Sequence, residues 1–201
     1  MSIMFKNIHR WTLLIIALCL SMNTYAQEAT DTVINLQNSL IELMKNSDFD
    51  YVQRFEQIAP IVDATLDIPT ISSLVLGKTW RELDEVQKSF FLKKFRELSI
   101  STYAYRFSSY NNEQFEIIEQ EPPNRGRVVV TSELQLQNKP PIGFEYHLHE
   151  SGGDWRIVNI VVEGVSDLAL KRGEYNAVLS DGNFDDLITE LERQIEDNSS
   201  Q

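Results

Sequence analysis

The sequence predicts a single α+β domain, in which a curved antiparallel sheet of about four strands is packed by helices from both ends of the chain. Three observations carry this expectation. Apolar residues recur at helical spacing up to about residue 107, alternate between residues 114 and 162, and return to helical spacing afterwards. Pro-, Gly- and Asn-rich stretches fall between the alternating runs, as antiparallel hairpins require. No repeat and no low-complexity linker divides the chain.

The helices come first. Val33, Leu36, Leu40, Leu43 and Met44 are spaced for a helix over Thr32–Lys45. Tyr51, Phe55, Ile58, Ile61 and Val62 predict a second over Tyr51–Leu66, with Pro60 expected to kink or split it. Ile68–Leu76 reads as a short third helix stopped by Gly77, a residue suited to a left-handed cap. Asp84, with Gln87 three residues on, forms a capping-box pattern that opens a long fourth helix.

That fourth helix stands out for its aromatic content: Trp80, Phe90, Phe91, Phe95, Tyr103, Tyr105, Phe107 and Tyr110 crowd into one stretch. At about 100° per residue, Phe91, Phe95, Leu98, Thr102 and Tyr105 make one stripe and Leu92, Tyr103, Phe107 and Tyr110 a second beside it. The apolar arc exceeds the ~100° that a surface helix needs. Lys93, Lys94, Glu97, Ser101 and Ser108 hold the polar edge. Such a helix is either sunk in a core or lines a cavity between layers.

The strands follow. Gln114–Gln120 is a first strand, broken by Pro122-Pro123-Asn124. In Arg127–Leu136, Val128, Val130, Leu134 and Leu136 face one side and Thr131, Glu133 and Gln135 the other. After Asn138-Lys139-Pro140-Pro141, Ile142, Phe144, Tyr146 and Leu148 alternate with Glu145, His147 and His149. Ser151-Gly152-Gly153-Asp154 is a hairpin turn into Trp155–Val162. Alternation of this kind belongs to a sheet with one covered and one wet face. Two helices close the chain, over Asp167–Leu179 and Phe184–Glu196.

The first 26 residues have the pattern of a secretory signal peptide: Lys6 and Arg10 are basic, Trp11–Leu20 is apolar, and Thr24-Tyr25-Ala26 is a small-x-small cleavage site. Leu18 before Cys19 departs from a lipidation motif, which takes a small residue there. Cleavage after Ala26 removes the single cysteine, leaving residues 27–201 without a disulfide, a thiol nucleophile or a thiolate ligand. Export without disulfides suits a Gram-negative periplasm. The chain carries 30 acidic against 18 basic side chains, a net charge of −12. This argues against nucleic-acid binding, which depends on neutralising phosphates, and against lasting adsorption to anionic lipid.

Catalytic and metal-binding patterns are sparse. His147 and His149 have the spacing of a metal pair, but no third ligand lies near in sequence and alternation assigns both to the polar, solvated face. Asp185-Asp186 read as capping carboxylates of the last helix. There is no phosphate-binding Gly-rich loop, nucleophile elbow or Cys/His pair. An acid/base pocket built from Tyr103, Tyr146 and Asp63 is conceivable in a cone-shaped fold, although no spacing brings these three together.

A series of segments carries a family resemblance: Leu76-Gly77-Lys78-Thr79-Trp80-Arg81-Glu82-Leu83, then Phe95-Arg96-Glu97-Leu98, then Thr102-Tyr103-Ala104-Tyr105-Arg106-Phe107. Phe144-Glu145-Tyr146-His147-Leu148 and Trp155-Arg156-Ile157 follow. The most specific are Val162-Glu163-Gly164-Val165-Ser166 and Arg172-Gly173-Glu174-Tyr175. In order and in coverage this resembles the MlaC, or toluene-tolerance, family of periplasmic auxiliary components of an ABC-type phospholipid transport system. One departure is Val158-Asn159, where the family usually carries an aromatic-Asp pair.

The resemblance implies a nuclear-transport-factor-like cone around a hydrophobic cavity, with no enzymatic activity and no cofactor or metal. It implies a glycerophospholipid ligand shuttled between an outer-membrane lipoprotein complex and an inner-membrane ABC transporter with MCE-domain subunits. The expected lipid contacts are Trp80, Phe91, Phe95, Leu98, Tyr103, Tyr105 and Phe107 from the helical half, and Val128, Val130, Leu134, Phe144, Tyr146, Trp155 and Ile157 from the strands. Another apolar ligand, sterol-like or isoprenoid, is the alternative, with an enzyme of the same cone fold a third reading.

Overall fold

The computed structural model describes residues 28–200, so the expected leader and Cys19 lie outside the described residues. Helix α1 covers 28–45 and buries Val33, Leu36, Leu40, Leu43 and Met44, the predicted stripe, together with Ala29 and the polar Gln37. Helix α2, Tyr51–Thr65, opens on a capping box between Asp50 and Gln53. It runs through Pro60 without dividing. Pro60 and Glu56, whose carbonyl loses its intrahelical donor, are both exposed, so water can hydrate the orphaned carbonyl.

Helix α3, Ile68–Leu76, begins at Asp67, whose side chain accepts from the Thr70 N–H, and stops at Gly77 with φ +54°. A one-turn helix α4, Lys78–Glu82, is an addition to the sequence expectation. Helix α5, Glu85–Arg106, opens on the expected Asp84–Gln87 capping box. Tyr110 lies beyond its end, in the loop, where the Lys45 ammonium sits 5.7 Å from its ring centre. Ser101, read as part of the polar edge, is buried: its hydroxyl donates to the Leu98 carbonyl and accepts from Asn198 at 3.0 Å. A distant helix satisfies this hydroxyl, which no local pattern could reveal.

The sheet is an antiparallel meander of five strands in the order β1-β2-β3-β4-β5, one more than expected. Strands β1 (Gln114–Gln120), β2 (Arg127–Leu136), β3 (Lys139–Ser151) and β4 (Asp154–Val162) are followed by the two-residue β5, Val165–Ser166, too short to leave a periodic signal. Gly152 and Gly153 take φ +64° and +95°, the conformation a tight β3–β4 hairpin requires. Pro140 and Pro141 fall inside β3, where the register with β2 is irregular between Leu134 and Leu136, so ladder donors are dispensable.

A bulge in β4 changes the phase of its side chains. His147 pairs with Asn159 but the adjacent Leu148 pairs with Ile157, leaving Val158 over. Trp155 and Ile157 point into the core before the bulge, while Ile160 and Val162 point inward after it. The Leu66–Asp67 link between α2 and α3 forms a parallel bridge to Ile157 on the edge of β4, with the Asp67 N–H donating to the Ile157 carbonyl at 2.9 Å.

Helices α6 (Asp167–Asp181) and α7 (Phe184–Ser199) complete the chain. The cap of α7 is Asn183, with Asp186 as its capping-box partner, so the two aspartates contribute to the cap from inside the helix. Helix α5 packs against α7 and α2, and α3 packs against α6. Tyr175 of α6 meets Phe91 and Phe95 edge-on at ring separations of 6.1 and 6.4 Å. Among the described residues, no helix is long and apolar enough to cross a membrane.

Candidate functional site: an apolar cavity between α1, α5 and the sheet

The wide apolar arc of α5 divides into two uses along its length. Towards its start Phe91, Phe95 and Leu98 are covered by neighbouring helices and at most 2 % exposed. Its last turns open onto a cavity of about 400 Å³. Leu36, Leu40 and Met44 of α1 form one wall, and Ser99, Thr102, Tyr103, Arg106 and Phe107 form a second. The sheet supplies the third: Phe115, Leu134, Leu136, Ile142, Phe144, Tyr146, Ile160 and Val162. The rim includes Ser109, Glu113, Asp167 and Lys171.

Aromatic packing shapes this wall. Phe144 stacks on Tyr146 at 6.0 Å, Phe115 meets Phe144 edge-on at 5.6 Å, and Tyr103 lies 6.0 Å from Phe107. A small polar cluster adjoins the wall: the buried Gln37 amide donates to the Ser132 hydroxyl at 2.8 Å and to the Tyr146 hydroxyl at 3.3 Å. These bonds satisfy polar atoms that would be costly to bury alone. Burial pushes the Tyr146 phenol up to about 12, with the Gln37 and Ser132 bonds pulling the other way. Burial also raises the Tyr103 phenol, with Tyr146 and Asp167 adding to the effect.

Asp63, the third member of the conceivable acid/base set, is remote from the two phenols. It faces solvent in a bidentate pair with Arg96, both contacts at 2.6 Å, tying α2 to α5. The cavity therefore joins two protonated phenols with no carboxylate from that set. Nor do the histidines share one environment. His149 Nε2 lies 2.6 Å from the buried Asp67 carboxylate, whereas His147 approaches Glu145 at 3.5 Å. The expected solvated face is thus covered at His149, because the α2–α3 link folds over the edge of β4. Among the described residues, no cluster of three or more His, Cys, Asp or Glu could hold a metal ion.

Of the residues expected from sequence to touch lipid, Tyr103, Phe107, Leu134, Phe144 and Tyr146 line the cavity. Phe91, Phe95, Leu98, Val128, Val130, Trp155 and Ile157 lie in the packed core. Trp80 of α4 packs edge-on against Phe91 at 6.4 Å, and Tyr105 is half-buried outside the lining. The α1 wall went unassigned although its periodicity was legible, since spacing does not say which helix stands opposite a sheet. Ile160 and Val162 were hidden by the bulge. A second depression of about 550 Å³, beside the β1–β2 turn, is lined by Glu121, Pro122, Asn124, Arg125, Arg127, Val128 and Val129 and lacks an apolar enclosure.

Comparison with known proteins places this architecture. The chain is 26 % identical over 125 residues to the intermembrane phospholipid transport system binding protein MlaC of Haemophilus influenzae, a match covering 60 % of this chain and 58 % of that protein. The match thus spans less than two thirds of this relative's length. The fold is similar to that of a phospholipid-binding protein from Ralstonia solanacearum solved in complex with a phospholipid, with a TM-score of 0.74 at 16 % identity over 87 % of this chain and 98 % of the other. The model of the family described as MlaC protein matches residues 35–193, from the α1 wall of the cavity into α7, and the chain belongs to that family.

Proposed function

We propose that this protein is a periplasmic carrier of glycerophospholipid, which holds acyl chain in the cavity between α1, α5 and the sheet. In this reading residues 1–26 direct export and are removed, and residues 27–201 form the lipid-binding domain. The observation that carries it is the cavity: an enclosed wall of aliphatic and aromatic side chains opening at a polar rim. A ligand with an apolar tail and a polar head matches that division. The phospholipid bound by the Ralstonia solanacearum neighbour and the transport role in the name of the Haemophilus influenzae relative support the same reading.

The energetics give such a carrier its purpose. Each methylene exposed to water costs ~0.8 kcal/mol, so a chain of about 16 carbons resists leaving a membrane by roughly 10 kcal/mol or more. A protein wall that replaces membrane hydrocarbon removes most of that barrier without covalent chemistry. A cavity of about 400 Å³ lies within the range of ligand-binding pockets and offers acyl chain an apolar lining.

The partners in this proposal are an outer-membrane lipoprotein complex and an inner-membrane ABC transporter with MCE-domain subunits, between which the carrier moves lipid. Mass spectrometry of lipids that co-purify with the periplasmic protein tests the ligand, and glycerophospholipid is the expected species. A sterol-like or isoprenoid species in its place would overturn the phospholipid assignment. Intact mass should show a chain beginning at Gln27.

A further inference from the structure

The rim of the cavity carries charges that an acyl chain does not need. Arg106 is the last residue of α5, and Lys171 lies one turn into α6; both line the cavity. Asp167, four residues before Lys171, lines it from the same side of α6. Despite that spacing, no carboxylate lies within 4.0 Å of Arg106 or Lys171 among the described residues. Lys45, Lys78, Lys88, Lys94, Arg96, Arg156 and Arg193 have such partners and several surface cations do not, so what distinguishes Arg106 and Lys171 is their place at the mouth of an apolar cavity. Two cations left unpaired at the mouth of an apolar cavity are available to an anion.

The chemistry of that anion follows from the donors. A guanidinium presents a planar fork and an ammonium a compact charge, and together they suit a phosphate diester. Asp167 narrows the choice, because an anionic head group would meet repulsion from its carboxylate, whereas a head group ending in an amine would meet attraction. Glu113, the other rim carboxylate, accepts from the Asn111 N–H at 2.5 Å through one oxygen and keeps its charge, which adds to the same preference. Resting on the carrier reading above, we propose that Arg106 and Lys171 grip the phosphate of a zwitterionic amino-phospholipid, and that Asp167 receives its ammonium.

The test is native mass spectrometry of delipidated protein incubated with vesicles of equal parts phosphatidylethanolamine and phosphatidylglycerol, with diacylglycerol as a probe lacking phosphate. The wild type should enrich phosphatidylethanolamine. An Arg106→Gln/Lys171→Gln variant should lose phospholipid retention at least tenfold more than it loses diacylglycerol uptake, and Arg106→Lys/Lys171→Arg should restore retention. Asp167→Asn should shift the bound ratio toward phosphatidylglycerol at least threefold. Equal phospholipid retention by the Gln variant, or parallel loss of diacylglycerol, would overturn the grip. An unshifted ratio in Asp167→Asn would overturn the amino-head-group assignment. Failure of the wild type to take up either phospholipid or diacylglycerol would instead overturn the carrier reading on which the grip rests.

Discussion

The side-chain oxygen of Asn159 accepts a hydrogen bond from the Ser166 hydroxyl at 3.0 Å, while the same hydroxyl accepts from the Ala169 N–H at 3.1 Å. Asn159 also accepts from the Leu168 N–H at 3.2 Å. The pair forms a two-tier cap that anchors α6 to β4 just past the Val158 bulge. The anchor matters beyond α6, since this helix brings Tyr175 onto Phe91 and Phe95 and sets Asp167 and Lys171 at the cavity rim. Where the resemblance leads to an expected aspartate, Asn159 keeps the accepting oxygen.

This arrangement predicts opposite outcomes at position 159. Asn159→Leu removes the acceptor at similar size and should cost about 1–2 kcal/mol, the usual worth of a helix cap. Asn159→Asp keeps the acceptor and adds a charge at a helix N-terminus, a favourable contribution of ~0.3–1 kcal/mol. Urea unfolding of both variants checks the sign, and a destabilised Asn159→Asp would count against the cap.

Core and cavity wall should respond differently to added bulk. Leu98 is 2 % exposed and lies outside the cavity lining, so Leu98→Trp should overpack the helical core and cost about 1–3 kcal/mol. Ile160 faces the cavity, where an indole has room, so Ile160→Trp should leave the delipidated protein within about 1 kcal/mol of wild type while lowering bound lipid. Melting curves and lipid-to-protein ratios distinguish the two, and unchanged lipid in Ile160→Trp would place the ligand elsewhere.

Asp67 gives the fold an acid-sensitive joint. Burial alone would raise its carboxyl, but the Thr70 N–H and the His149 contact outweigh burial and hold it below the ordinary 3.8. A carboxyl lowered by folding stabilises above its unfolded value, and that stabilisation disappears as pH falls through the folded value. The stability gap between wild type and Asp67→Asn, which keeps the capping oxygen, should therefore be present near pH 6 and close progressively below about pH 4. Denaturation midpoints across that range check it. A gap independent of pH would show that the carboxylate charge is irrelevant.

The two histidines should separate in the same assay. His149→Gln removes the 2.6 Å contact with Asp67 and should cost ~1 kcal/mol, typical for a hydrogen bond to a charged group partly shielded from water. His147→Gln should stay within ~0.5 kcal/mol, because its side chain is 40 % exposed and its Nε2 has no hydrogen bond to lose. Equal effects would mean that the Asp67 contact contributes nothing in solution.

What could be read from sequence is what short-range chemistry dictates. The Asp84–Gln87 box, the Gly77 stop, the Gly152-Gly153 turn and the inward set Val128, Val130 and Leu134 depend on residues a few positions apart, and each stands where it was expected. So does the α+β order with one covered sheet face. The breadth of the α5 stripe was also legible, but spacing reports only the direction in which a side chain points. Whether that direction ends in another side chain depends on distant segments: Tyr175 arrives from α6 to close over Phe91 and Phe95, while among the described residues no side chain fills the space before Tyr103 and Phe107. Likewise a single extra residue at Val158 turns Ile160 and Val162 inward, and a link 82 residues earlier in the chain partly covers His149. Periodicity and caps are local and survive in one dimension; the volume between packed layers belongs to several elements at once and exists only when all of them are in place.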